Sequence, residues 1–149
     1  MKTKVCIVTG VGEGVGISVV RRFIEGGYQV AMLARNEDRL RRFEQALPAA
    51  RAYVCDVADA VAVNETVAAI ISELGVPHVV VHNAVSFDSL FGNFLEIDPA
   101  ALKKNFSTNT LGLLNVARVV APHMLAAGHG AIMVTGNTSA RRGRANFAA

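Results

Sequence analysis

The chain has 149 residues, 52% of them apolar and 18% charged, with a net charge of +3. That is one domain's length with ample material for a core, and too apolar for a disordered chain. Its basic residues are spread along the chain with few aromatics among them, which excludes the dense stripe of a nucleic-acid binder, and its apolar runs are cut by Gly, Pro or charge, so no membrane span is expected.

The first strand, Lys4 to Thr9, holds the unbroken apolar run Val5-Cys6-Ile7-Val8, which suits a strand buried on both faces. Gly10, Gly12, Gly14 and Gly16 follow at alternate positions, and a helix opens at Gly14. A Gly-rich turn that opens a helix aims free N–H groups and the positive end of the helix dipole at one point, where a phosphate can sit. The stretch is therefore read as a dinucleotide site. Its helix runs to Glu25, with Val15, Val19, Val20 and Phe23 on the inward side, and Gly26-Gly27 ends it.

Tyr28 to Ala34 is a second apolar strand. Asn36 caps a second helix that runs to about Leu47 and stops at Pro48. Arg51 to Cys55 is a short third strand. Asp59 starts a third helix that ends near Gly75, and Val79 to His82 form a fourth strand. The segment from Ser86 to Asp98 is a polar loop with little periodicity. Asp98-Pro99 reads as a cap followed by proline at the first helical position. A long helix runs from there to about Ala127, bent near Gly112 or Pro122. Ala131 to Thr135 is the fifth strand, and Gly136 to Ala149 are polar, basic and small.

Strand and helix alternate throughout, with no repeat and no break in composition, so residues 1–149 read as one domain. The spacing predicts right-handed βαβ crossovers and an α/β fold: a Rossmann-like, doubly wound parallel sheet of order 3-2-1-4-5. The ligand would sit at the carboxyl ends of the strands, at the switch point beside strand 1. Cys6 and Cys55 fall inside apparent strands and read as reduced core thiols. With no signal peptide in view, a cytoplasmic location is expected. His78, His82, His123 and His129 are scattered without metal spacing and are given core or surface roles, so no metal is expected.

Four ordered motifs carry a resemblance. Thr9-Gly10-x-x-x-Gly14-x-Gly16 resembles the cofactor loop of the short-chain dehydrogenases/reductases. Cys55-Asp56-Val57 resembles that family's segment after strand 3, whose Asp contacts the adenine. His82-Asn83-Ala84 resembles its Asn-Ala-Gly stretch after strand 4. Asn109-Thr110-Leu111-Gly112 resembles the long-helix motif whose Asn is catalytic. The resemblance covers essentially the whole chain. It implies cofactor contacts at Thr9, Gly10, Gly12, Glu13, Gly14, Val15, Gly16, Arg35, Asp56, Val57, Asn83 and Ala84.

An NAD enzyme would hold the ribose hydroxyls with an acid at the end of strand 2. Here Ala34-Arg35 stand there instead. A guanidinium can grip a 2′-phosphate in a charge-assisted pair, which favours NADP over NAD. The alternative is that Arg35 merely begins a solvated helix. Glu13 cuts against NADP, because relatives that use it often carry a basic residue in that position.

The resemblance also implies an oxidoreductase that moves a hydride between NADP(H) and a carbonyl or alcohol. Such chemistry takes a Tyr as acid/base, a Lys four residues later, a Ser at the substrate oxygen and an Asn in the proton relay. The chain supplies Asn109. Tyr28 and Tyr53 are its only tyrosines, both tied to strands on the far side of the sheet, and no Tyr-x-x-x-Lys occurs. Asn137 stands where the family's Ser is usual. Ser139 is the candidate hydroxyl, against a plain loop serine, and Asn137 could donate to the substrate oxygen in its place.

The family's Tyr would fall just past Ala149, and Phe147-Ala148-Ala149 looks like the start of its helix. The chain is accordingly expected to be the cofactor-binding front part of a longer dehydrogenase, catalytically incomplete. Strand 5 would then be a bare edge, and the 98–127 helix would expose an apolar face, so a homo-oligomer through that helix or poor solubility is expected. The alternative reading is a non-catalytic nucleotide-binding or regulatory module. A nucleic-acid role has only Arg141, Arg142 and Arg144 in its favour.

Overall fold

The computed structural model describes residues 3–86, 93–138 and 141–142. Five strands form one parallel sheet: β1 (Lys4–Thr9), β2 (Tyr28–Ala34), β3 (Ala50–Val54), β4 (Val79–His82) and β5 (Ala131–Val134). Their order is β3-β2-β1-β4-β5, the predicted one. The helices are α1 (Val15–Glu25), α2 (Glu37–Ala46), α3 (Ala60–Glu73), α4 (Pro99–Phe106) and α5 (Gly112–Ala127).

Alternate residues of the central strands feed two cores. Val5, Ile7, Leu33 and Val80 meet Val63, Val67 and Ile70 of α3 and Val116 and Val120 of α5. Cys6, Val8, Met32 and Val81 meet Ile17 and Val20 of α1 and Leu40 of α2. Each fully buried Val, Ile or Leu contributes about 1.5–3 kcal/mol relative to exposure. That is why the apolar runs are continuous rather than alternating.

Side-chain caps set the helix starts. Asn36 Oδ1 accepts from Arg39 N at 2.8 Å, Asp59 Oδ1 from Val61 N at 2.9 Å and Asp98 Oδ1 from Ala100 N at 2.8 Å. α1 differs: Gly14 caps it without any side-chain bond.

Some expected boundaries and faces move. The third strand starts at Ala50 and closes at Val54, so Cys55 lies beyond it, although its N–H still reaches the Ala34 carbonyl at 3.0 Å. Val15, expected on the inward side of α1, is 60% exposed. It is the first residue of the helix, while Gly16, Ile17 and Val20 turn inward.

The long helix is broken by a wide π turn, Ser107–Leu111, in which Gly112 N–H bonds the Ser107 carbonyl five residues back. The irregularity therefore sits just before Gly112; Pro122 lies inside α5. Taken together, Pro99–Ala127 are 29 residues, long and apolar enough to cross a membrane by length and composition. This corrects the expectation that no segment reaches that length, which counted only unbroken apolar runs. The stripe Gly112, Val116, Val120 and Met124 is buried in the fold against α3 and the sheet.

Candidate cofactor site

Thr9, Leu33, His82 and Val134 lie in register across the sheet, one row at its carboxyl end. The glycine loop rises from this row. Gly10 has φ +68°, and a Cβ there would collide with the backbone of Ala84 and come within 2.8 Å of the Asn83 carbonyl carbon. Gly16 is equally confined: a Cβ would lie 2.8 Å from the Gly10 carbonyl oxygen and 2.9 Å from Val11 Cα. These two glycines are demanded by the protein's own packing. Gly12 and Gly14 are not, since a Cβ at either would meet nothing within 4 Å. They edge open space beside the first turn of α1, where uncapped N–H groups collect. The cradle fits a phosphate group.

The 83–84 segment is bound tightly to this loop. Asn83 Nδ2 donates to the Gly10 carbonyl at 2.9 Å, and Asn83 Oδ1 accepts from Thr135 Oγ1 at 3.0 Å. Thr9 Oγ1 accepts from the N–H groups of Asn83 (3.2 Å) and Ala84 (3.3 Å). Asn83 and Ala84 thus shape the loop from beneath.

Along the rim, Arg35 is exposed just past β2 and makes no ion pair among the described residues. Glu13 pairs with Arg42 of α2 at 3.5 Å, so its charge is opposed from outside the loop. Both partners are well exposed, and the pair contributes little to stability. Asp56 Oδ1 accepts from Ala58 N at 3.0 Å, which fixes the turn after β3. The Val57 side chain is buried, and a Cβ at Gly112 would lie 2.7 Å from its Cγ2. Val57 therefore packs under the long helix and does not line the mouth with its side chain. The Val57 carbonyl accepts from Asn115 Nδ2 at 3.0 Å.

Asn109 sits in the π turn, half-buried, and its Oδ1 accepts from Ser86 N–H at 2.7 Å. The loop after β4 is thereby tied to the helix at that point. Asn137 is exposed beyond β5. Ser139 and the 147–149 segment lie outside the described residues. No cluster of metal-ligating side chains occurs among the described residues. Tyr53 donates to Glu73 Oε2 at 2.7 Å, and burial, then that carboxylate, pushes its phenol up. Tyr28 packs edge-on against Phe23. Tyr28 starts β2 at the opposite end of the sheet, beside Lys4, and Tyr53, although its backbone pairs with Leu33, has its hydroxyl engaged by Glu73.

Sequence reasoning missed Ser86, Arg42, Asn115 and Thr135. Each acts through a contact 23 to 58 residues away in the chain. The only local signal was Ser86 at the start of an aperiodic loop. His82, which the sequence offers as the first residue of the His82-Asn83-Ala84 stretch and as one of four scattered histidines, is 2% exposed.

Two histidines make stability depend on pH. Burial lowers His82 below its usual 6.5. Burial, then the nearby His129 and Lys4, lower His78, whose ring stacks on His129 at 4.0 Å. A depressed histidine stays neutral in the fold while the unfolded chain takes up protons from about 6.5 downward. The stability this confers is complete above that value and is lost as pH falls toward the folded-state values. Melting temperature is expected to be level above about pH 7 and to fall from about pH 6.5 to 5. A rise on acidification contradicts this.

Comparisons agree with the geometry. The short chain dehydrogenase family model matches residues 4–149. The 2,3-dihydro-2,3-dihydroxybenzoate dehydrogenase of Bacillus subtilis is 28% identical, over 98% of this chain and 57% of its own. The actinorhodin polyketide ketoreductase, solved with NADPH, superposes with a TM-score of 0.92 at 29% identity, over 98% of this chain and 57% of that one. The 3-ketoacyl-(acyl-carrier-protein) reductase of Brucella melitensis, complexed with NADH, gives 0.91 at 28%, over 97% and 62%. The chain thus spans somewhat over half the length of these relatives. With its motifs, its sheet order and a family match from residue 4 to 149, the chain belongs to the short chain dehydrogenase family.

Proposed function

We propose that this chain binds a nicotinamide dinucleotide at the glycine loop, NADP(H) in preference to NAD(H), as part of an oxidoreductase acting on a carbonyl or alcohol. The observation that carries the reading is the division of the glycines. Gly10 and Gly16 are filled by protein, while Gly12 and Gly14 leave open space at a helix N-terminus. When bound, the cofactor supplies or accepts the hydride. Thr9, Gly10, Gly12, Gly14, Gly16, Asn83 and Ala84 form or shape the phosphate cradle. Val15 and Glu13 flank it, and Asp56 with the Val57 backbone stands at the adenine side. Arg35, at the end of β2 and without an ion pair among the described residues, is the group for a 2′-phosphate. The opposition of Arg42 to Glu13 supports this choice, since it offsets the one acid in the loop.

Relatives solved with NADH and with NADPH support a dinucleotide without choosing between the two forms. The choice is tested by titrating the chain with NADPH and NADH and following nicotinamide fluorescence. Tighter binding of NADPH is expected; a preference for NADH would remove the Arg35 assignment.

Asn109 is the candidate for the proton relay, and Ser139 or Asn137 for the substrate oxygen. These 149 residues hold no Tyr-x-x-x-Lys, so the chain on its own is expected to bind cofactor and not to turn over. A non-catalytic nucleotide-binding module is the second reading, favoured by the same lack of a usable phenol: Tyr53 is raised, opposite to an acid/base role.

The exposed Leu102, Phe106, Leu114 and Leu125 support self-association through α4 and α5, and the exposed β5 edge adds to it. Light scattering should give a mass above the 15.8 kDa monomer. A monomer at high concentration contradicts this. The free buried thiols support a cytoplasmic setting for the same reading.

A further inference from the structure

We propose that His82, held in a single tautomer, is a positioning residue that joins the phosphate loop to the turn carrying Asn109. The proposal deepens the dinucleotide-site reading and rests on it for its functional meaning.

His82 closes β4 and is 2% exposed. Its Nδ1 lies 3.0 Å from Thr9 Oγ1. That hydroxyl has two lone pairs and one proton. The N–H groups of Asn83 and Ala84 occupy the lone pairs. The hydroxyl proton is left for His82 Nδ1, which must accept it, so the ring proton resides on Nε2. Thr9 thereby becomes a three-way junction directly before Gly10, with His82 accepting its proton.

The other ring edge faces the long helix. His82 Cε1 lies beside Gly112, where a Cβ would come within 3.5 Å of it. In the π turn Gly112 N–H bonds Ser107 rather than Thr108, which withholds from the Thr108 carbonyl its α-helical donor. Among the described residues Nε2 has no partner at full hydrogen-bond geometry, and the Thr108 backbone is the dipole that favours a proton on the ring. Asn109, the next residue, is fixed from the other side by Ser86 N–H. A neutral ring with Nε2–H toward Thr108 therefore sits between the two halves of the site. Burial disfavours the charged ring, which could no longer accept from Thr9.

Two amide variants separate the two edges. In His82→Asn the amide can replace Nδ1 but falls short of the π turn; in His82→Gln it can reach the Nε2 position. The test is nitrogen-15 NMR on the full chain without ligand. Wild type is expected to show the neutral Nε2–H tautomer at pH 7. His82→Asn should move the amide signals of Thr108, Asn109 and Ser86 while sparing Thr9 and Ala84, and His82→Gln should do the reverse. NADPH affinity should fall about 2- to 10-fold in His82→Gln, the effect of one net hydrogen bond. An Nδ1–H or charged ring in wild type overturns the proposal, even where a variant does not fold. So do two variants that shift the same signals. Failure of wild type to bind NADPH would instead remove the cofactor reading and leave the tautomer result standing.

Discussion

Gly10→Val is expected to abolish the cooperative melt of the chain or lower its midpoint by about 10 °C or more. Two costs add. A β-branched residue at φ +68° is strained by about 1–3 kcal/mol. Its Cβ would also overlap the Ala84 backbone, which cannot yield, because Thr9 Oγ1 holds its N–H and Asn83 Nδ2 grips the Gly10 carbonyl. Forced overpacking costs a further 1–3 kcal/mol or so. Against a net stability of about 5–15 kcal/mol this is a large fraction. Gly12→Asp, two residues on, should behave in the opposite way. Its side chain enters open space, so the melt should stay within about 0.5 kcal/mol of wild type. Its carboxylate would face the phosphates, and both NADPH and NADH should bind at least about tenfold more weakly. Thermal melts and fluorescence titrations of the two variants check the pair. Equal stability losses would mean that the loop glycines share one role.

Arg35→Ala should lower NADPH affinity by about 10- to 100-fold and leave NADH within about twofold. That is the worth of charge-assisted hydrogen bonds to a phosphate, roughly 1.5–3 kcal/mol. The side chain is exposed and makes no ion pair among the described residues, so its loss should not disturb the fold. Arg35→Asp should reverse the preference by offering the ribose hydroxyls an acid. Equal weakening of both cofactors would show that Arg35 only begins the solvated turn before α2.

The sheet order was legible because its cause is local. Buried parallel strands must be apolar on both sides, and Val5 to Val8 and Val79 to Val81 say so outright. The glycine loop was legible as a motif, yet its internal division was not. Gly10 and Gly12 look alike in sequence, and only the approach of Ala84 from 74 residues away separates them. Val15 was misplaced because it starts the helix before the helix meets the sheet. Gly112 marked the place of the irregularity but not its kind, since one extra residue per turn changes hydrogen bonding without changing composition. His82 had one readable sign: a titratable residue ending an otherwise aliphatic strand. Its partners, Thr9 and the Thr108 turn, are supplied by the fold.

The most direct measurement is a residue-resolved NMR titration of the nitrogen-15-labelled chain with NADPH. The account predicts that the amides of Gly12 to Gly16 and the Arg35 side chain move first and together, with Asn109 following through the 82–84 segment. Perturbation centred on the far end of the sheet, around His78 and His129, or saturation that leaves the glycine loop unmoved, would contradict it.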